Sequence, residues 1–574
     1  MQRGADHFGM PGRIEFILAL VLFVFAIALS VLNVLHQPFN SDEMQHLHVI
    51  WGWTRGLLQY RDSFDNHMPL FHIVFAPIAG LVGESATILY WMRLTLLPMY
   101  FVSAWCTYEI GARLFSRRAG IWAALGLAFF SGYYSRGIEF GTDSLWTPIW
   151  LLCVTVLIRG PISASRSLVA GLLLGLCFSV SMKSSLLLFS LLLSAPLAFA
   201  LIGREKMGAS WAYLAKSAVI FLGAAAAVPV TIMVFFGIKG LWRDFRNGVF
   251  DFNFLTNQIY RNFMLYKSHP ALAAIIFFGG LFVAVQVSQR IIRASRNSKI
   301  AFSRVLILLV IVVYFLALYV FWPPISRTYL PFYPLCFVMG SGALLPLPGF
   351  LAAQGRGVFN VFAFLPLPAL VALVEFFLSA GTQPFWKDRN RNETDLLRGV
   401  LALTEPTDYV FDAKGETVFR RRCFRPVLER ITMKAIKQGI ILDDAPQRCV
   451  ETHTCVAATI MSQRFSKTTL RFVESNYLSV TDNLRVAGEA LKPSTANPNR
   501  SDFEVVIPAS YKIISQDGNV SGTLDGARYD GARLLSAGHH TFVSTATSGE
   551  LVLLWAQAVD RHFTPFEHHI LSER

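Results

Sequence analysis

Two adjacent carboxylates follow the first long apolar segment of the chain. The stretch NSDEMQHLHVI, residues 40–50, places Asp42 beside Glu43, with two histidines close behind. A carboxylate at such a position can take a proton from a hydroxyl group during a group transfer. The same pair also suits the first turn of a helix that begins after Ser41, because the helix dipole favours negative charge there. These residues alone leave both interpretations open.

Further ionisable residues lie at the ends of later apolar segments: Asp65, His67, Arg136, Asp143, Lys183 and Arg327. Charged groups beside a membrane are costly and are functional candidates by default. Each also has a simpler explanation. Asp143 could cap the helix that it opens, and Lys183 and Arg327 could be interface anchors. Arg136 could be a surface charge, and Glu139 is expected to be one. The set, more than any member, predicts a functional site.

The elements that must position these residues are membrane helices. The chain has 574 residues, of which 54% are hydrophobic and only 15% charged, which excludes an ordinary soluble multidomain protein. Because a bilayer core needs about 20 residues per helix, we expect about 11 spans. The apolar runs are 16–35, 87–108, 120–134, 144–158, 168–180, 184–202, 217–236, 271–287, 305–322, 329–347 and 358–380.

The basic residues indicate orientation rather than nucleic-acid binding. They cluster in short loops between apolar runs, where the positive-inside rule places cytoplasmic segments. This assignment holds only if 67–83 is a helix at the outer interface rather than a span. The loops 36–86 and 136–143, residues 181–184 and 322–328, and the chain beyond 381 then lie on the outer face. The loop 237–269 contradicts the rule, because it would be outside and is also basic.

The composition divides the chain into a membrane domain, 1–380, with a catalytic first outer loop, 36–86, and an outer domain, 381–574. Alternating strand-like runs bounded by turn residues predict a mixed α/β fold for the second domain. It holds three cysteines, and the simplest disulfide in an oxidising compartment joins Cys449 to Cys455. The odd number leaves that pairing open.

Carboxylates beside cations on an outer face predict group transfer from an anionic lipid. Asp42 would take the proton of an acceptor hydroxyl, while Lys, Arg and His side chains offset charge on a departing phosphate. Nucleotide sugars are not available outside the membrane, so the expected donor is a sugar carried on a polyprenyl phosphate.

The order of these motifs resembles that of the C superfamily of membrane glycosyltransferases. The similarity covers roughly residues 10–350 and is strongest to the branch with dolichyl-phosphate-mannose protein mannosyltransferases and bacterial lipid A aminoarabinose transferases. The motifs are the Asp-Glu pair, NHMPL, EIGARLFSRRAG, GTDSL, GLLLGLCFSVSMKSS and SRTYLPFYP.

This resemblance implies roles for individual residues. Asp42 matches the catalytic base, and its neighbour Glu43 is predicted to belong to the catalytic pair with it. Donor-phosphate or substrate binding is implied for Asp65, His67, Asp143, Lys183, Arg327 and Tyr329. The family's segment reads Lys-Pro-Pro or His-Pro-Pro, whereas this chain has His67 and a single Pro69.

The resemblance also implies the setting of the reaction. The protein would be an inverting glycosyltransferase of a bacterial inner membrane, acting on an envelope lipid, glycan or protein from its periplasmic face. We expect no cofactor; a divalent metal near Asp42 and His46 is the alternative, since their spacing places both on one helical face. The competing function is a transporter or flippase of lipid-linked sugars, which predicts charges near the bilayer midplane and an internal repeat. A third possibility is a non-catalytic assembly or receptor protein.

Overall fold

The computed structural model describes residues 12–160, 163–203, 210–259, 264–295, 297–321, 326–346, 367–382, 386–495, 497–518, 520–545 and 549–566. The chain forms two compact units. The first comprises Met1–Gln37, Asn66–Val74 and Tyr90–Asp388, and the second comprises Pro38–Asp65, Phe75–Leu89 and Arg389–Arg574. The second unit therefore contains most of the first loop as well as the C-terminal residues.

The first unit is helical, as the apolar runs predict. Its main helices are Arg13–His36, Ile88–Leu114, Arg117–Phe129, Thr142–Ile158, Ala164–Val180, Ser185–Ile202, Trp211–Ile238, Pro270–Ala294, Ser298–Phe321, Tyr333–Leu344 and Leu367–Thr382. Five of the described segments are long and apolar enough to cross a bilayer: Arg13–His36, Met182–Ile202, Trp211–Ile238, Pro270–Ala294 and Ser298–Phe321. The predicted polytopic helical fold is confirmed. Residues 358–366 of the apolar run 358–380 lie outside the described residues.

Small residues bring the backbones of the helices Ala164–Val180 and Trp211–Ile238 into contact. A Cβ added at Gly171 would lie 2.3 Å from the carbonyl oxygen of Phe221, and one at Gly175 would lie 2.7 Å from that of Ala225. Only glycine permits such an approach, which is typical of helix pairs in membranes. The GLLLGL stretch is therefore a helix-packing surface.

The apolar segment after the first loop forms the short helix Leu70–Val82, with Pro77 inside it. Its 13 residues extend for about 20 Å, less than the roughly 30 Å of a hydrocarbon core. The interfacial position of this helix stays a prediction.

The second unit combines strands with short helices. The strands are β1 (Tyr409–Phe411), β2 (Arg421–Arg422), β3 (Val456–Ala458), β4 (Tyr477–Ser479), β5 (Leu484–Leu491), β6 (Arg500–Val505), β7 (Ala509–Ser515), β8 (Gly522–Leu524), β9 (Ala527–Arg528), β10 (Arg533–Leu535), β11 (Gly538–Ser544) and β12 (Leu551–Trp555). The helices are Ser41–Thr54, Arg391–Leu403, Arg430–Lys437, Ala445–Glu451, Lys467–Asn476 and Ala556–Asp560. The predicted mixed α/β domain is confirmed.

The larger sheet has the strand order β10-β7-β12-β5-β3-β1-β2, with β4 also pairing with β5. β1 is parallel to both of its neighbours, whereas the other pairs in this sheet are antiparallel. The smaller sheet has the order β6-β11-β8-β9. In open sheets, loops at the carboxyl ends of parallel strands commonly hold functional residues. The loop that follows β1 is such a loop.

The cysteines of this unit are arranged differently from the simplest prediction. The Sγ atoms of Cys423 and Cys449 lie 3.3 Å apart, while Cys455 contacts the backbone carbonyl of His453. All three are buried free thiols. The neighbour of Cys449 is therefore Cys423, because the turn after β2 meets the helix Ala445–Glu451, although Cys455 is closer in sequence.

Candidate active site

The two adjacent carboxylates of the first loop have different surroundings. Asn40 caps the helix Ser41–Thr54: its side chain accepts from the backbone N–H of Asp42 at 3.0 Å, and its own N–H donates to Glu43 Oε2 at 2.7 Å. Glu43 is buried, with 1% exposure, whereas the Asp42 side chain is 35% exposed. Glu43 therefore does the capping predicted for the pair, and Asp42 is the carboxylate that solvent can reach.

Asp42 forms an ion pair with Lys414, a residue that the sequence analysis did not single out. The Lys414 side chain is only 5% exposed, and its Nζ atom also lies 3.8 Å from Glu429. Lys414 belongs to the stretch DAKGET in the loop after β1. The sequence predicts a strand-like run through this stretch, but the strand β1 ends at Phe411 and Lys414 lies in the loop beyond it. No local signal predicts its contact with Asp42.

Side-chain carboxylates hold the loop that carries Lys414. Asp412 accepts hydrogen bonds from the backbone N–H groups of Gly415 and Thr417 at 2.9 and 3.1 Å. Glu416 accepts from the N–H of Lys414 at 2.6 Å. Gly415 has a φ of +91°, and a Cβ there would lie 3.0 Å from the Cβ of His48. The loop is thus built to approach the helix Ser41–Thr54 closely.

Burial and charge set the ionisation of this loop. Burial raises the pKa of Glu416 to about 7, and the neighbouring Asp412 adds to this shift. The pKa of Asp412 is lowered; burial opposes this shift, but Arg422 and His48 outweigh it. Burial lowers the pKa of His48, whose Nδ1 atom lies 2.9 Å from the carbonyl oxygen of Val418.

These shifts predict that acid destabilises the second unit through His48. Because the folded pKa of His48 is below its usual 6.5, its contribution to stability is complete above pH 6.5 and is lost as the pH falls further. The loss is at most about 1.4 kcal/mol per pH unit. His48→Gln should remove this pH dependence when unfolding of the full chain is measured by tryptophan fluorescence between pH 5 and 8. The contribution of Glu416 to the pH dependence of stability has the opposite sign, but it is present in both the wild type and His48→Gln.

His540 provides the matched contrast. Burial alone would lower the pKa of His540. A hydrogen bond with Asp525 at 2.7 Å outweighs burial and raises this pKa. Its contribution is therefore complete below pH 6.5 and is lost as the pH rises through the folded pKa. His540→Gln should cost stability mainly at low pH. Identical pH profiles for wild type and His48→Gln would contradict the prediction for His48.

Asp65 lies in the same unit as Asp42. It is fully buried and accepts a hydrogen bond from Gln59 Nε2 at 3.3 Å. A ring nitrogen of His46 lies within 4.8 Å of a carboxylate oxygen of Asp65. His67, which belongs to the first unit, is half-buried.

In the first unit, Asp143 and Lys183 form a buried ion pair. Lys183 Nζ lies 2.9 and 3.1 Å from the two carboxylate oxygens of Asp143, and Trp146 Nε1 donates to the same carboxylate at 2.9 Å. Asp143 is in the first turn of the helix Thr142–Ile158, but the N-cap residue of that helix is Gly141. The capping explanation for Asp143 is therefore wrong, and Lys183 is not a free interface anchor.

A second ionic group stands beside this pair. Glu139 receives a hydrogen bond from Arg136 at 2.6 Å and forms an ion pair with Arg327 at 2.7 Å. Glu139 is 4% exposed, so its prediction as a surface charge is wrong. Arg327 also acts electrostatically on Asp143. Three cations and two carboxylates thus form one cluster with an excess of one positive charge.

The structure brings one group of the predicted residues together in the first unit. This group contains Arg136, Asp143, Lys183 and Arg327, together with Glu139. The second unit contains both Asp42, which pairs with Lys414, and Asp65, which contacts Gln59. Tyr329 stacks with Tyr333, with ring centroids 6.2 Å apart.

Comparison with known proteins supports the predicted resemblance. Residues 66–231 match the family model of dolichyl-phosphate-mannose-protein mannosyltransferase. This stretch includes Asp143 and Lys183. No curated protein sequence matches the chain.

A solved structure of ArnT has a similar fold. Apo ArnT from Cupriavidus metallidurans matches with a TM-score of 0.51 and 11% identity, over 82% of this chain and 97% of that chain. ArnT bound to undecaprenyl phosphate matches with a TM-score of 0.49 and 11% identity, over 93% of this chain and 99% of that chain. The apo oligosaccharyltransferase of Archaeoglobus fulgidus matches with a TM-score of 0.46 and 12% identity, over 87% of this chain and 74% of that chain. The chain is therefore an integral membrane protein with the fold of ArnT, and it is similar to mannosyltransferases over residues 66–231.

Proposed function

We propose that the protein is an inverting glycosyltransferase that moves a sugar from a polyprenyl-phosphate donor to a hydroxyl group. The acceptor is an envelope glycolipid such as lipopolysaccharide, another glycan or a protein. The match of residues 66–231 to a family named for dolichyl-phosphate-mannose transfer supports this class of donor.

The observation that carries the proposal is the charged cluster of Arg136, Glu139, Asp143, Lys183 and Arg327, whose two carboxylates are buried. Charged groups among membrane helices are expensive and are typically retained for function. The excess positive charge suits a phosphate group, and Lys and Arg donors stabilise negative charge that develops on a leaving group. We assign donor-phosphate binding to this cluster.

Asp42 is the proposed general base. Its carboxylate takes the proton of the acceptor hydroxyl while the acceptor oxygen forms a bond to the anomeric carbon of the donor. The bond from that carbon to the phosphate oxygen breaks, and the polyprenyl phosphate leaves with the electron pair. Attack from the face opposite the phosphate inverts the anomeric configuration. Asp65, His67 and Tyr329 complete the proposed substrate-binding set.

Lys414 is the proposed positioning residue for Asp42. The buried ammonium group holds the carboxylate in one orientation, and its loop is itself held by Asp412 and Glu416. A base has to be aligned with the proton that it removes, so this restraint favours catalysis. The proposed step uses no cofactor, and turnover should be unchanged when EDTA is added.

The direct test combines purified protein, a radiolabelled polyprenyl-phosphate sugar and an envelope lipid extract. Transfer of label from the donor to a product is the expected result. Mass spectrometry of envelope glycolipids from cells with and without the gene would then identify the acceptor. Movement of intact donor across vesicle membranes, without cleavage, would support the transporter alternative instead.

The proposal places Asp42 and the C-terminal residues on the periplasmic face of a bacterial inner membrane. A cysteine introduced at the exposed Gln516 should then react with a membrane-impermeant maleimide in intact spheroplasts. The matched control is a cysteine at Ser165, in the first turn of the helix Ala164–Val180 and in a segment expected to be cytoplasmic, which should react only after lysis. The reverse pattern would overturn the proposed orientation.

A further inference from the structure

The second unit contains a basic pocket that is separate from the residues assigned to catalysis. Its volume is about 470 Å³, and it is formed by the first-loop residues 57–62, by the turn after β2 and by the helix Ala445–Glu451. Five arginines line it: Arg61, Arg421, Arg422, Arg425 and Arg448. Cavities of this size hold small molecules or head groups.

The lining has more positive than negative charge. Its five arginines face three carboxylates, Asp62, Asp444 and Glu451. Arg61 pairs with Asp62 at 2.9 Å, and Arg448 pairs with both Asp444 and Glu451 at 3.0 and 2.9 Å. The excess is two charges in the lining. It is one when the buried Asp412, which pairs with Arg422 behind the wall, is included.

Arg422 is structural rather than ligand-binding. Its Nε atom donates to Asp412, and its other nitrogens donate to the backbone carbonyls of Asp412, Ala413, Arg425 and Pro426. These bonds hold the turn 421–426 in one conformation. The turn therefore presents its two exposed arginines, Arg421 and Arg425, from a rigid base.

Arg421 is the arginine best placed to receive a ligand. It is exposed, and no ion pair among the described residues includes it. Its charge already acts on Asp62 across the pocket. Guanidinium groups bind phosphate through paired hydrogen bonds, whereas a single carboxylate would not need several of them. Leu57, Tyr409 and Phe424 add an apolar wall against which a sugar ring can pack.

We propose that this pocket binds a phosphate monoester, with Arg421 and Arg425 as its principal ligands. The phosphate belongs either to a free sugar phosphate or to the head group of a lipid. The inference is independent of the proposed glycosyl transfer, because it uses none of the residues assigned to that reaction.

Calorimetric titration of the full-length protein in a neutral detergent tests the proposal. Glucose 1-phosphate is the soluble probe, with glucose as its uncharged control, and mixed micelles of phosphatidic acid are the lipid probe, with phosphatidylcholine as their control. Saturable binding of one phosphate probe should weaken about tenfold or more in Arg421→Gln/Arg425→Gln, because charge-assisted hydrogen bonds are lost. It should also weaken as salt rises.

Arg500→Gln is the matched control, since Arg500 is an exposed arginine of the same unit that pairs with Asp502 at 3.0 Å. It should bind the probe like the wild type. Binding of glucose 1-phosphate identifies a free sugar phosphate as the ligand source, and binding of phosphatidic acid alone identifies a lipid head group. Failure of both probes, or equal binding by the double variant with an unchanged unfolding temperature, would overturn the proposal.

Discussion

Asp42→Asn should lower sugar transfer by about 10²-fold to 10⁴-fold, the usual effect of removing a general base. The substitution keeps the size and polarity of a side chain that is 35% exposed, so the fold and donor binding should persist. Transfer of radiolabel under single-turnover conditions measures the loss, and equilibrium binding of the donor checks that the site is still formed. The anomeric configuration of the wild-type product, determined by NMR, should be inverted relative to the donor.

Glu43→Gln is the internal control for this experiment. Glutamine can replace glutamate in a capping box, so the helix Ser41–Thr54 should remain capped and turnover should stay near the wild-type value. Lys414→Gln should give an intermediate loss, mainly in kcat, because Asp42 is then present but less well oriented. Wild-type turnover in Asp42→Asn, or retained configuration in the product, would refute the assignment of Asp42.

Lys183→Met should reduce turnover by about 10²-fold or more, the effect of deleting a donor that stabilises transition-state charge. It should also destabilise the protein by about 3–5 kcal/mol, because the buried Asp143 loses its direct cation. The single variant therefore confounds catalysis with folding. Turnover and thermal unfolding must both be measured.

The double variant Lys183→Met/Asp143→Asn separates the two effects. It removes both charges, and the asparagine oxygen can still accept from Trp146 Nε1, which lies 2.9 Å from Asp143 Oδ1. We expect stability to recover while turnover stays low. Arg113→Met, in an exposed pair with Glu109, should cost less than about 1 kcal/mol and leave turnover unchanged. Wild-type turnover in the double variant would make the Lys183 pair purely structural.

The sequence predicts the elements of this protein better than its contacts. Apolar runs locate the helices, because length and hydropathy are local properties. Asp143 and Lys183 could each be named as candidates from their places at helix ends. Their ion pair depends on how separate helices meet, which a single sequence does not record.

The wrong predictions have a common physical origin. The residues around Glu139 have the composition of a surface loop. Glu139 is nevertheless buried, and Arg136 and Arg327 neutralise its charge. Cys455 is nearest to Cys449 in sequence, yet chain folding places Cys423 beside Cys449. Lys414 carried no signal at all, since its partner Asp42 is 372 residues away. Burial and pairing at long separation are set by tertiary structure.

The sequence separation of Asp42 and Lys414 delays the formation of their ion pair during biosynthesis. With a ribosome adding about 5–20 residues each second, Asp42 precedes Lys414 by roughly 20–70 s. During this interval Leu47 and Ile50, which are fully buried in the finished protein, belong to a segment whose C-terminal neighbours do not yet exist. Nascent chains must therefore be protected from aggregation until translation is nearly complete. Any polypeptide released before residue 414 lacks the lysine that orients Asp42, so premature termination yields a membrane fragment without a completed first loop.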